Sequence, residues 1–204
     1  GLAATLALLK AGKRVLLTEE TNWIGGQLTA QGVPPDEHPW IESHGAPQSY
    51  LDFRHDIRNF YLKHYPVVDA QREQAFFNPG NGSVSKLCTE PRVALQILEA
   101  KLAPFLSNGQ LSLWLNSKAV AATVEGTQVR SLTIHDSKGT RCQVQAAYFV
   151  DATELGELLP MTGTDYVTGT ESKAQTQELH APEVGSPTNN QSFTMCFAVD
   201  YQDG

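Results

Sequence analysis

Apolar positions change their rhythm several times along this chain, and each change predicts an element. Leu2 to Ala11 is rich in Ala and Leu and closes on Gly12, so it reads as a helix. The basic pair Lys13 and Arg14 follows, and Val15-Leu16-Leu17-Thr18 reads as a short buried strand ending at Glu19. Helix, glycine, apolar run and acid together make the second half of a βαβ unit. Residues 20 to 48 have almost no period and contain Gly25-Gly26, Pro34-Pro35 and Pro39, which predicts a long loop.

From Ser49 the period becomes helical. Phe53, Ile57, Phe60 and Tyr61 fall on one stripe, with Arg54, Asp56, Arg58 and Lys63 on the others. Tyr50 and Tyr65 join the aromatics expected to pack this helical region. Asn78-Pro79-Gly80-Asn81-Gly82 is a turn cluster. Thr89-Glu90-Pro91 starts a further helix with Thr89 as its expected cap and Pro91 in the first turn. Its apolar face comprises Val93, Ile97, Leu98, Leu102, Phe105 and Leu106.

After Asn108-Gly109 the period falls to two. Leu111–Leu115, Ala119–Val124, Val129–Ile134 and Val144–Val150 all read as strands, with turns at Gly126 and Gly139 and Trp114 in the core. Residues 168 to 190 are polar and Pro-bearing, a linker or exposed loop. Ser192 to Val199 is a last strand-like run.

Composition narrows the class of function. The 204 residues are 41% hydrophobic and 18% charged, ordinary for a globular protein. A net charge of -7 argues against a nucleic-acid partner, which demands clustered Lys and Arg. The longest apolar run, Leu2 to Leu9, is too short to span a bilayer, and it lacks the flanks of a signal peptide. Cys88, Cys142 and Cys196 are widely spaced and odd in number, with no CxxC pair. They support neither a disulfide framework nor a zinc knuckle, so a reducing, cytoplasmic setting and no metal are expected. The Cys88 thiol precedes a helix start, where a thiolate would be stabilised, but a buried structural cysteine is the simpler reading.

The candidate chemistry starts at the first residue. Gly1, Ala4, Gly12, Val15 and Glu19 have the spacing of the second half of a dinucleotide-binding fingerprint. Gly1 would let the helix approach a strand, and the helix N-terminus would face a pyrophosphate. Glu19 would accept hydrogen bonds from ribose hydroxyls. An ordinary αβ unit with an exposed Glu19 gives the same spacing. The pair Gly25-Gly26, six residues beyond the acid, would let bare backbone approach a ligand.

The run Glu19-Glu20-Thr21-Asn22-Trp23-Ile24-Gly25-Gly26-Gln27-Leu28-Thr29 resembles the FAD-dependent oxidoreductases among the two-dinucleotide-binding-domain flavoproteins. Val150-Asp151-Ala152-Thr153-Glu154-Leu155-Gly156 resembles the closing motif of the same family. The likeness runs from Gly1 to about Gly169. It implies FAD as cofactor, held by Gly1, Glu19, Gly25, Gly26, Gln27, Thr29, Ala152 and Thr153, with Val120 beside the adenine. It implies an α/β fold: a Rossmann-like parallel sheet with a β-meander crossover and a helical insertion. The expected divisions are residues 1–46 and 108–167 for the FAD-binding domain, 47–107 for the insertion, and 168–204 for a linker and the start of a substrate domain. The family's first strand and first two glycines would precede Gly1, so the chain reads as a fragment.

The activity so implied is flavin-mediated hydride or electron transfer on a small molecule, with no catalytic residue identified. A single-Rossmann NAD-dependent dehydrogenase is the alternative enzyme, and a non-catalytic nucleotide-binding module is another. His38 and His44, with Asp36, Glu37 and Glu42 nearby, fit acid–base chemistry or a metal site, and equally a plain polar loop, which is the simpler reading.

Overall fold

The computed structural model describes residues 1–35, 38–193 and 196. The chain divides into two compact units, Gly1–Lys118 and Ala119–Met195. The first is built on α1 (Leu2–Lys10), β1 (Val15–Thr18), α2 (Gln48–His64), the single turn α3 (Asp69–Arg72), α4 (Pro91–Ser107) and β2 (Leu111–Trp114). β1 pairs in parallel with β2, Val15 opposite Leu111 and Thr18 opposite Trp114.

One apolar core serves the whole first unit. Leu9 of α1, Phe53, Ile57 and Tyr61 of α2, Val93, Leu98 and Leu102 of α4, and Leu111 of β2 are buried together. The helical period sets the stripe on α2, since residues 53, 57 and 61 recur every fourth position. Arg54 and Arg58, expected on a polar face, are buried instead, Arg54 to 1% exposure. Each follows a stripe residue by one position, about 100° around the axis, so the core-facing surface is wider than the apolar stripe.

The α4 start also differs from expectation. Glu90, not Thr89, occupies the cap position, with Pro91 at the first turn. The Thr89 hydroxyl instead donates to the Tyr61 hydroxyl at 3.2 Å. Glu90 receives the Tyr65 hydroxyl at 2.9 Å, and its N–H donates to the Tyr61 oxygen at 2.8 Å. Tyr61 of α2 and Tyr65 just beyond its end therefore seat the first turn of α4.

The second unit carries β3 (Ser117–Glu125), whose first two residues belong to the first unit, then β4 (Gln128–Asp136) and β5 (Arg141–Gln145). They form a three-stranded sheet in chain order, with β4 and β5 antiparallel. Gly126 and Gly139 take left-handed φ at the turns, as the sequence predicts. The last strand is shorter and earlier than expected. It ends at Gln145, and Tyr148 and Val150 lie outside any strand, with Tyr148 89% exposed. Trp114 is half-buried rather than in the core.

Further along, α5 (Leu158–Thr162) and α6 (Lys173–Thr176) are single short turns, and Thr170 bridges Ser186 within the polar segment. The strand expected over Ser192 to Val199 lies largely outside the described residues. No helix among the described residues is long and apolar enough to cross a membrane.

Candidate functional site

Six of the nine candidate cofactor residues lie in the first unit and three in the second. Glu19 stands where β1 ends, and its N–H donates to the Trp114 carbonyl at 2.9 Å. Its backbone is held again by Ser117, whose N–H donates to the Glu19 carbonyl at 2.9 Å. One carboxylate oxygen, Oε1, accepts both the Thr21 N–H and the Thr21 hydroxyl at 2.9 Å. Among the described residues Oε2 has no hydrogen-bond partner. The acid is thus held from one side with a free acceptor on the other, which suits the hydroxyl donors of a ribose diol.

The Thr21 hydroxyl donates onward to the Trp23 carbonyl at 2.9 Å, and the chain turns into Ile24-Gly25-Gly26. Gly25 has φ +118°, and a Cβ there would stand 2.6 Å from Thr29 Oγ1 and 2.9 Å from Leu98 Cδ1. Glycine is therefore required by packing as well as by backbone conformation. Gly26 is left-handed too, and the two enter a short 3-10 turn, Gly26–Leu28. Gln27 is exposed, whereas Thr29 is buried and its hydroxyl donates to the Ile24 carbonyl at 2.6 Å. The hydroxyl of Thr29 closes the turn from inside. Gly1 caps α1 without any side-chain capping bond, so the N–H groups of the first helical turn are not taken by a side chain.

The loop beyond the glycines is fixed by charge that sequence reasoning missed. The Glu42 carboxylate is paired with Arg54 and Arg58. Arg58 also donates through Nε to the Phe77 carbonyl at 2.8 Å, and Lys86 Nζ donates to the Pro39 carbonyl. Burial pushes the Glu42 carboxyl up, but hydrogen bonds from Arg58 and Arg54 outweigh it and hold the group below the usual glutamate range. The available signal was the spacing of two arginines four apart beside an apolar stripe.

On the outer side of this loop the His38, Trp40 and His44 rings cluster at centroid separations of 6.0 to 6.2 Å. His38 Nδ1 accepts the Trp40 N–H at 3.2 Å, so the neutral ring carries its hydrogen on Nε2 and offers a metal no lone pair there. No group of three metal-ligating side chains occurs among the described residues. Asp36 and Glu37, weighed with these histidines, lie outside the described residues.

Cys88 is buried, its N–H donating to Asn78 Oδ1 at 2.6 Å and its Sγ to the Ser85 carbonyl at 3.6 Å. A Cβ on Gly82 would stand 2.7 Å from that sulfur. The residue is a packing element of the turn cluster, in line with the simpler expectation.

In the second unit Ala152 and Thr153 form an exposed turn organised by Asp151. Its Oδ1 accepts the Thr153 N–H at 3.0 Å and hydroxyl at 2.7 Å, and its Oδ2 accepts the Leu158 N–H at 3.1 Å. Partial burial raises the Asp151 carboxyl, and these bonds more than reverse that, leaving it below the usual aspartate range. Val120 lies on β3 with its side chain partly exposed. A shallow groove of about 340 Å³ between α2 and α4, lined by Phe60, Ile97 and the paired Asp56 and Lys101, includes none of the candidate cofactor residues.

A search of curated proteins finds no match. The family model described as FAD dependent oxidoreductase matches residues 1–203, which does not favour the single-Rossmann NAD-dependent alternative. A strand-end acid with an open acceptor, a left-handed glycine pair and a family match over nearly the whole length agree: the chain belongs to the FAD-dependent oxidoreductase family.

Proposed function

We propose that this chain supplies the FAD-holding part of an enzyme that passes a hydride or electrons between a small molecule and the flavin. The observation that carries the reading is Glu19, fixed by Thr21 through one oxygen with the other open at the end of a parallel strand. In this reading Glu19 accepts the ribose hydroxyls of the cofactor, and the start of α1 turns its N–H groups and dipole toward the pyrophosphate. Gly25 and Gly26 bring backbone close to the cofactor, with Gln27 beside them, while Thr29 holds that turn from within. Ala152 and Thr153 form a second contact, kept in shape by Asp151, and Val120 lies beside the adenine. The flavin supplies the redox chemistry when bound, and the protein supplies binding, orientation and exclusion of water. A Rossmann-type arrangement of the parallel sheet, with the helices at 47–107 as an insertion into it, belongs to the same proposal.

The residues fit the group chemically. An open carboxylate oxygen, an N-terminal helix turn without a side-chain cap and two left-handed glycines are what a ribose, a pyrophosphate and a close backbone approach require. The test is FAD titration of apoprotein carrying Glu19→Gln. Loss of one charged hydrogen-bond partner is expected to weaken binding by about 1–3 kcal/mol. Unchanged affinity would remove Glu19 from the site, and a purified protein without flavin absorbance that takes up no FAD would overturn the reading.

A further inference from the structure

We propose that the exposed rings of His38, Trp40 and His44 form a recognition face for a hydroxylated aromatic ring, the substrate class of the flavoenzyme reading above, on which the proposal rests. Trp40 is 61% exposed although Ile41 beside it is buried. Its indole is stacked on the His44 imidazole at 6.0 Å and 24°. An exposed indole is a binding feature when the backbone beneath it is fixed, because stacking then needs little further ordering. Here it is fixed. The Trp40 carbonyl accepts the Ser43 N–H at 2.9 Å and the His44 N–H at 3.0 Å, and the Ile41 N–H donates to the His38 carbonyl at 3.1 Å. Below, Glu42 is held by Arg54 and Arg58, and Lys86 binds the Pro39 carbonyl.

Hydrogen-bond bookkeeping at the two imidazoles then specifies the ligand. His38 Nδ1 accepts from the Trp40 N–H, so Nε2 of the neutral ring is a donor. Ser43 Oγ donates its one hydrogen to the Trp40 carbonyl at 3.0 Å, so at its 3.0 Å contact with His44 Nδ1 the histidine is the donor. The Nε2 of neutral His44 is then an acceptor. Neither Nε2 has a hydrogen-bond partner among the described residues. A flat aromatic face beside one acceptor suits a planar ring bearing a hydroxyl, whose hydrogen goes to His44 Nε2. Gly45 is part of the construction. It has φ +87°, and a Cβ there would stand 2.7 Å from His38 Nε2, so only glycine leaves the His38 ring where it is.

The experiment uses the flavin-loaded full chain and ligand-observed NMR with three probes: phenol, cyclohexanol, which lacks the planar ring, and toluene, which lacks the hydroxyl. Phenol is expected to bind about fivefold or more tightly than either, the size of one net hydrogen bond or one aromatic pair. Trp40→Ala keeps the backbone bonds of the loop and removes an exposed side chain, so it is expected to fold normally and to abolish the preference for phenol over cyclohexanol. His44→Phe keeps a stacking ring and is expected to erase the preference over toluene alone. Phenol binding that is unaltered by Trp40→Ala, or a preference over toluene that survives His44→Phe, overturns the proposal. Phenol discrimination in a protein that takes up no FAD overturns the flavoenzyme reading while upholding the ring-binding face.

Discussion

The two units are held together by different means. In Gly1–Lys118, side chains from α1, α2, α4 and β2 share one core, and Ile57 and Leu87 are fully buried. Among the described residues of Ala119–Met195 those buried are Ser131, Leu132 and Ile134 on the middle strand, while Tyr148 and Leu155 are almost wholly exposed. The second unit keeps its shape mainly through local polar bonds. Asp136 Oδ1 accepts the N–H groups of Lys138 and Thr140 at the β4–β5 turn, Asp151 orders the turn after it, and Ser172 with Gln175 makes a reciprocal cap on α6. The candidate cofactor residues follow the same division, those of the first unit on a packed base, Ala152 and Thr153 of the second on a bonded turn, and Val120 on a strand.

The largest effect that would sharpen this contrast is at Glu42. Glu42→Ala removes the carboxylate shared by two buried guanidinium groups and is expected to cost about 3–5 kcal/mol of stability by urea denaturation. The same pair sets a pH dependence. Because the folded-state value of Glu42 is depressed, its contribution is present above the ordinary glutamate range and is lost as pH falls from there through the folded value. A wild-type acid titration of stability should therefore show a loss that Glu42→Ala lacks. Equal slopes in both proteins would show that the carboxylate is not the responsible group.

Core truncation comes next. Ile57→Ala should cost about 2–5 kcal/mol, whereas Tyr148→Ala should stay within about 0.5 kcal/mol. Similar melting-temperature losses for the two would break the comparison outright. Gly25→Ala should cost about 1–3 kcal/mol through a left-handed φ and a clash with Thr29 and Leu98. Since this loss needs no cofactor, it should appear in the melting of apoprotein, and an effect confined to the FAD-loaded form would place the strain at the ligand instead. Below the core losses comes Asp151→Ala, expected to cost about 1 kcal/mol as for a lost cap, read as faster amide exchange at Thr153 and Leu158.

What the sequence made legible follows from period. The helices at 2–10, 48–64 and 91–107, the strand to Thr18 and the turns at Gly126 and Gly139 are written in local spacing and glycine placement. The Glu19 position was legible for the same reason, as a strand end. Burial of Arg54 and Arg58 was not, because charge marks a residue as polar and partners distant in sequence, Glu42 among them, make its burial tolerable. The cap at Glu90 was missed because Thr89 satisfies the local rule, while a tyrosine one helix away had already engaged its hydroxyl. The end of β5 at Gln145 was missed because an apolar run such as Tyr148-Phe149-Val150 is strand-like by composition, yet a strand exists only where a neighbour pairs with it.

The parallel register of β1 with β2 also bears on how the chain is made. Val15 pairs with Leu111, which is 111 − 15 = 96 residues later. A ribosome adding about 5–20 residues per second needs roughly 5–20 s to deliver that partner. Until that partner is made, the edge of Val15–Thr18 that faces β2 stays unpaired, and α2 and α4 are synthesised before that edge can close. An unpaired edge invites association with other chains, so slowing translation between the codons for Ser107 and Leu111 should lower the soluble yield.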